Sequence, residues 1–187
     1  MPDILLVAAT DRELSGHDGL VCGVGPVEAA VTTARALALR PFGAVLHVGL
    51  AGARDVEVGS IVVGLEAVYC DLAAEWPVVD RVSADAHLVS ALGAALPGAV
   101  ALPIHTSAAV GSAGNTVLQG PLVEAMEGFG VLRAAERAAV PAVEVRVVSN
   151  EHREEDRSRW ALAAGLEALE RALPSMVDAL AAPARGA

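Results

Sequence analysis

Three short stretches place carboxylates and a carboxamide just beyond apolar runs, where such side chains can meet a ligand. They are Ala8-Ala9-Thr10-Asp11-Arg12-Glu13, Val123-Glu124-Ala125-Met126-Glu127-Gly128-Phe129 and Val145-Arg146-Val147-Val148-Ser149-Asn150. One ionised Glu accepts hydrogen bonds from two neighbouring hydroxyls more strongly than a neutral acceptor does. The Asn150 carboxamide offers a donor and an acceptor together. Each residue also has a plain structural reading: Glu127 as an acid at a helix N-terminus, Asn150 as the cap of a turn, and Glu13 as a solvated acid.

The other chemistry-bearing features point to less. Gly23-Val24-Gly25-Pro26-Val27-Glu28 joins a strand to a helix and so invites a dinucleotide-binding reading. Its third small position is Glu28, and no Asp or Glu occurs from Ala29 to Arg54, where the ribose-binding acid belongs. His47, His87, His105 and His152 form no triad-like or metal-like pattern, and His17 falls in a loop. Cys22 and Cys70 lie in apolar runs and read as buried thiols, with no metal or cofactor implied. Asp156 and Arg157 read as a helix-start acid and a surface Arg.

The elements that must position these residues alternate between strand and helix. Ile4 to Ala9 and Leu20 to Cys22 are short apolar runs of the buried-strand kind, and Pro26 opens a helix to about Leu39. Ala44 to Val48 reads as a strand running into a small-residue turn, Gly49-Leu50-Ala51-Gly52, and Ser60 to Leu72 as a further β-like run. Ser83 is expected to cap a helix to Leu96, and Ile104 to Val110 to form a strand after Pro103. A loop follows from Gly111 to Thr116. Leu122 to Met126 reads as a strand, Gly128 to Ala138 as a helix, and Val143 to Val148 as a strand delivering Ser149 and Asn150 at its carboxyl end. The last helix starts near Asp156, with a kink or break expected at Pro174 and a frayed tail from Pro183. The sum is a three-layer α/β fold: a central, mostly parallel or mixed sheet flanked by helices, in one domain over residues 1–187.

Composition narrows the partners. Hydrophobic residues make up 54% of the 187 and charged residues 19%, which argues for a packed core. The formal charge is −10, and the 13 basic residues are scattered, so nucleic acid is not expected. No apolar run approaches the roughly 18 residues of a membrane helix, and no signal-peptide pattern opens the chain. A cytoplasmic protein without membrane partners is expected.

The two later stretches resemble the "Met-Glu-Gly" and "Ser-Asn/Asp" elements of the purine nucleosidase and nucleoside phosphorylase superfamily. Its members include methylthioadenosine/S-adenosylhomocysteine nucleosidase and, closest in detail, futalosine hydrolase. Asp156-Arg157-Ser158-Arg159-Trp160, the segment ending at Glu13, Gly23-Val24-Gly25-Pro26 and Val48-Gly49-Leu50-Ala51-Gly52 extend the likeness to about residue 160. It implies a nucleoside phosphorylase-like fold and a purine nucleoside ligand. By the resemblance, Glu127 holds the ribose hydroxyls, Met126 packs beside sugar and base, and Gly49, Leu50, Asn115, Phe129 and Ser149 join the binding set. Glu13 orients and deprotonates the attacking water, and Asn150 meets the purine at N7 and its six-position substituent. Asn cannot donate a proton to N7 as the Asp of adenine-cleaving relatives does, so hypoxanthine-type bases are favoured.

Phosphorylases of the superfamily carry Arg and Ser around the glycine turn; this chain has His47 and Leu50, which favours water over phosphate. The implied activity is hydrolysis of futalosine to hypoxanthine and dehypoxanthine futalosine, a step of menaquinone synthesis. The alternatives are a methylthioadenosine/S-adenosylhomocysteine nucleosidase and a silent nucleoside binder. The chain departs from the family where only Leu14 to Leu20 replaces a longer hairpin, and again after Asn150, where Glu151-His152-Arg153-Glu154-Glu155 replaces a Gly-containing turn. Relatives are homodimers or higher oligomers, and Ser60 to Leu72 reads either as part of such an interface or as a buried internal strand.

Overall fold

A computed structural model describes residues 3–111, 113 and 119–181. The apolar run at the N-terminus forms β1 (Ile4–Ala8), and Asp11–Leu14 makes a single helical turn, α1. Then come β2 (Leu20–Val21), α2 (Pro26–Leu39), β3 (Ala44–Arg54), β4 (Ile61–Tyr69) and β5 (Arg81–Ser83). The chain continues through α3 (Ala86–Ala95), β6 (Val100–Thr106), β7 (Leu122–Ala125), α4 (Gly128–Arg137), β8 (Ala142–Glu151) and α5 (Leu162–Ala181).

The sheet is mixed and helices cover both faces, as the alternation predicts. Its strands also close on themselves, which the sequence did not reveal. β3 pairs with β8 and β7, β8 with β4, β4 with β6, and β6 with β7. A cluster drawn from all five of these strands, including Ala51, Val62, Ile104, Val123 and Val148, fills the ring. Two more clusters pack the faces, one with α2 and α4 against β1 and β3, the other with α3 and α5 against β3 and β8.

The register of β3 positions the site. Its first residues pair with β1 through His47, and its last pair with β7 from Gly52 onward. Between these points that edge of β3 is open, and a cleft forms where the neighbouring strands diverge, as ligand sites in α/β sheets do.

Several elements differ from expectation. Gly49-Leu50-Ala51-Gly52 is strand rather than turn, because β8 pairs with β3 from Val45 to Ala53. Ser83 ends β5, and α3 is capped by Asp85, whose carboxylate accepts from the His87 and Leu88 amides at 2.9 and 3.1 Å. β6 begins at Val100 and passes through Pro103, which is tolerated because β7 joins β6 only from His105. Ser149 and Asn150 lie within β8 rather than beyond it. Asp156 caps a 3-10 turn at Arg157–Arg159, and α5 starts later, at Leu162. It runs on through Pro174, with Leu173 and Met176 both fully buried. Cys70 is only partly buried, whereas Cys22 is buried and its thiol is pushed up to about 12, first by burial and then by Glu127. The stretch from Ser60 to Leu72 is mainly the internal strand β4, with neighbours on both edges, rather than a free surface. The tail from Pro183 lies outside the described residues.

Candidate active site

Glu13 is positioned locally. Its Oε2 accepts from the Thr10 amide at 3.1 Å and the Thr10 hydroxyl at 2.9 Å, which ties the one-turn helix α1 to the end of β1. Its Oε1 accepts from the Leu50 amide at 3.1 Å, on the open edge of β3. Glu13, which could read as a plain solvated acid, is thus held by a built support.

Glu127 follows β7 and is buried. Its Oε1 accepts from the Gly25 amide at 3.0 Å, and its Oε2 lies 3.4 Å from Arg146 Nη2. Gly25 has φ 96°, a conformation that favours glycine, and it opens α2. The glycine turn that invited a dinucleotide reading therefore aims its amide at a protein carboxylate.

Asn150 on β8 is oriented by its neighbours. Ser149 Oγ donates to Asn150 Oδ1 at 2.8 Å, and Asn150 Nδ2 donates to the Glu151 carbonyl at 3.0 Å. One amide hydrogen and one acceptor site on the carboxamide remain for a ligand. A side chain on Gly52 would press on Asn150, its ideal Cβ falling 2.9 Å from Nδ2. A side chain on Gly49 would collide with both Glu13 and Arg146. The small residues of β3 are where three side chains, Glu13, Arg146 and Asn150, cross the strand.

The sequence reasoning missed the cation at the centre. Arg146 is fully buried; its Nε donates to Glu144 Oε1 at 2.7 Å, its Nη2 lies 3.0 Å from His47 Nε2, and its Nη1 donates to the Leu50 carbonyl at 3.4 Å. Burial works against this charge, but Glu144, Glu127 and Glu13, in that order, outweigh it and hold the guanidinium above its ordinary value. Burial pushes the Glu144 carboxyl up, and Arg146 opposes that push. Burial, then Arg146, holds His47 well below the ordinary imidazole range, so the ring is neutral. A signal for this group existed. Glu144 and Arg146 are opposite charges two residues apart in an otherwise apolar strand, hence on one face, and His47 pairs with Glu144 across the strands.

Glu13, Leu50, Met126, Glu127, Ser149 and Asn150 all line one cavity of ≈ 200 Å³, as does Arg146. Two residues expected in the binding set do not line it. Gly49 lies behind Glu13 and Arg146, and Phe129 stacks on Tyr69 with ring centroids 5.1 Å apart, its amide donating to Thr106 Oγ1 at 2.8 Å. Asn115 lies outside the described residues, as does most of the loop from Gly111 to Thr116. Asp156 is engaged as the cap of the 3-10 turn, and the Arg157 guanidinium lies 5.6 Å from the Trp160 ring centre. Trp160 lines the cavity.

Three carboxylates, Glu13, Glu127 and Glu144, surround this one Arg. Carboxyl groups thus outnumber the guanidinium at this end of the cavity, an arrangement that does not favour a bound anion.

Comparison with known proteins follows the same lines. Residues 19–182 match the family model described as "Phosphorylase superfamily". The chain is 36% identical to futalosine hydrolase of Streptomyces coelicolor, over 88% of this chain and 80% of that one. It is 32% identical to futalosine hydrolase of Acidothermus cellulolyticus, over 90% and 78% of the two chains. Among solved structures, a futalosine hydrolase mutant of Helicobacter pylori superposes with a TM-score of 0.84 at 18% identity, covering 95% of this chain and 99% of that one. The methylthioadenosine/S-adenosylhomocysteine nucleosidase of Colwellia psychrerythraea, in complex with adenine, gives 0.82 at 18% identity over 96% of each chain. At these identities the structural likeness is one of fold.

Proposed function

This chain belongs to the phosphorylase superfamily and, within it, to the futalosine hydrolases, and from that premise we propose that it cleaves the N-glycosidic bond of futalosine with water, releasing hypoxanthine. The observation that carries the reading is the meeting of Glu13, Glu127 and Asn150, from three distant parts of the chain, around one cavity.

Each residue has a task its surroundings suit. Glu127, braced by the Gly25 amide and by Arg146, accepts the hydrogen bonds of the ribose 2′- and 3′-hydroxyls, with Met126 packed beside the sugar. Glu13 takes the proton of the attacking water; its attachment to Thr10 and Leu50 holds the carboxylate in place before substrate arrives. Cleavage passes through an oxocarbenium-like state, and the surplus of carboxylates beneath the sugar stabilises it. Asn150 meets N7 and O6 of a 6-oxopurine with its remaining donor and acceptor. Arg146 does not make the site a phosphate site, because Glu144 and Glu127 already engage it. Water is therefore the nucleophile.

The same reading sets the reaction in the cytoplasm, within futalosine-dependent menaquinone synthesis, and in an oligomer. Val27 and Val31 form an apolar face of α2, 69% and 63% exposed, next to Val24 on the cavity rim, and we place a second copy of the chain there. Sedimentation of Val27→Glu against the unaltered protein tests this; an unchanged oligomer would remove α2 from the interface.

The deciding experiment is base release, followed by chromatography, from futalosine, inosine, methylthioadenosine and S-adenosylhomocysteine, each with and without phosphate. Hypoxanthine released from futalosine without phosphate is the expected result. Release of adenine alone would instead indicate a methylthioadenosine/S-adenosylhomocysteine nucleosidase, and binding without release would indicate a silent nucleoside binder.

A further inference from the structure

The cavity contains a buried histidine to which the roles above give no task. His152 is 8% exposed and lines the same cavity as Asn150. Its Nδ1 lies 3.1 Å from Glu124 Oε2, within ion-pair distance, and both ring nitrogens are buried without a hydrogen-bond partner among the described residues. Glu124 is itself immobilised, accepting from Ser107 Oγ at 2.6 Å and from the Gly111 and Ala113 amides at 2.8 Å each.

The register places this pair at the base end. Arg146, opposite Gly49, marks the sugar end; Asn150 and Glu124 both lie opposite Gly52, one on each side of β3. At about 3.3 Å per strand residue, Asn150 is roughly 13 Å further along β8 than Arg146. His152 follows two residues later, with its amide on the Ala53 carbonyl.

The chemistry leaves a gap at this end. A departing purine takes the electron pair of its glycosidic bond, and Asn150 offers a hydrogen bond but no proton. An imidazole N–H can give one, and a carboxylate beside the far ring nitrogen is the arrangement that holds such a ring in place. We infer that His152, braced by Glu124, is the proton donor to the departing base. The C1′–N9 bond breaks with its electron pair passing to the base, while the His152 Nε2 proton passes to N7. The water oxygen bonds to C1′ and its proton passes to Glu13. Exchange with solvent then returns a proton to His152 and removes one from Glu13. His152, two residues beyond Asn150, thus supplies the acid that Asn150 lacks.

This inference rests on the proposed hydrolase reading. Its test is kcat/KM for the unaltered protein, His152→Ala and His152→Gln on substrates of increasingly acidic leaving group: futalosine, inosine, 8-azainosine and 4-nitrophenyl riboside. The last needs no proton to leave. Both variants are expected to lose about 10²–10⁴-fold on the hypoxanthine substrates, with the loss shrinking toward about threefold at the acidic end of the series. An equal loss across the series makes His152 structural and overturns the inference, as does no loss. Full activity of His152→Gln on futalosine also overturns it, since a hydrogen bond would then suffice. If the unaltered protein releases no base from any substrate, the hydrolase reading itself falls, and the inference with it. Thermal melting of both variants accompanies the kinetics, and Gln, which keeps a polar side chain, serves where Ala unfolds the site.

Discussion

Arg146→Met is the perturbation that most directly tests the charge arrangement beneath the cavity. Arg146 is 1% exposed, and Glu144 and Glu127, its two ion-pair partners, are buried as well. Met occupies similar volume without charge, so the variant leaves two buried carboxylates facing no cation. Removing one partner of a buried pair costs about 3–5 kcal/mol. A domain of this length loses about 2–4 °C per kcal/mol, so the melting temperature at neutral pH should fall by roughly 6–20 °C.

The pH dependence supplies the sharper check. Burial raises the Glu144 carboxyl in the folded protein while Arg146 opposes the rise; removing Arg146 lets it rise further. A folded-state value above the unfolded one contributes stability that is complete below the unfolded value and is lost as pH climbs through the folded value. His47 acts in the same direction. Burial, then Arg146, keeps it neutral, and without the Arg it charges more readily in acid, 3.6 Å from Glu144. The deficit of Arg146→Met should therefore be least near about pH 4 and greatest above about pH 7. Scanning calorimetry of both proteins across this range measures it. A deficit below about 1 kcal/mol that stays flat with pH would refute the reasoning, because the carboxylates would then have another counter-charge.

Three further outcomes follow from the same geometry. Glu13→Gln should lower kcat about 10²–10⁴-fold while calorimetry finds nucleoside affinity little changed, since the amide keeps the Leu50 contact but takes no proton from water. Asn150→Asp should gain cleavage of methylthioadenosine relative to futalosine in the base-release assay, because a carboxyl can protonate N7; an unchanged preference would remove Asn150 from base recognition. Gly128→Ala should destabilise the fold by about 1–3 kcal/mol in denaturant titration, because its methyl would run into the Glu144 carboxylate, itself fixed by Arg146.

What the sequence disclosed, and what it hid, divides by the range of the signal. β1, α2, α4 and the core of β8 were readable because each is a continuous apolar run or a helix opened by Pro or Gly, a pattern complete within the segment. Glu13, Glu127 and Asn150 were readable because the short motifs around them resemble those of a known family, and each motif lies within one segment. The closure of β3, β8, β4, β6 and β7 into a ring was not, since strand pairing between distant segments leaves no local mark. The Gly49-to-Gly52 stretch misled for a related reason. Its small residues suggest a turn locally, yet they are small because Glu13, Arg146 and Asn150 cross the strand there. Ser83 lost the cap of α3 to Asp85, two residues on, because Ser83 was already paired with Glu66 in β5.

The short connection after β1 sharpens the question of whether Glu13 is held where a water-activating base must be. With only Leu14 to Leu20 between its turn and the next strand, the carboxylate would be adrift if that segment had to hold it. The contacts argue otherwise. Among the described residues, two hydrogen bonds to Glu13 come from Thr10, beside its own helical turn, and a third from Leu50 on the open edge of β3. None comes from the segment between Leu14 and Leu20. Val24, on the cavity rim, is 58% exposed. A base held by its own turn and by the sheet can act without the hairpin. Shielding the sugar from bulk water then falls to whatever covers Val24, the role proposed above for a second copy on the α2 face.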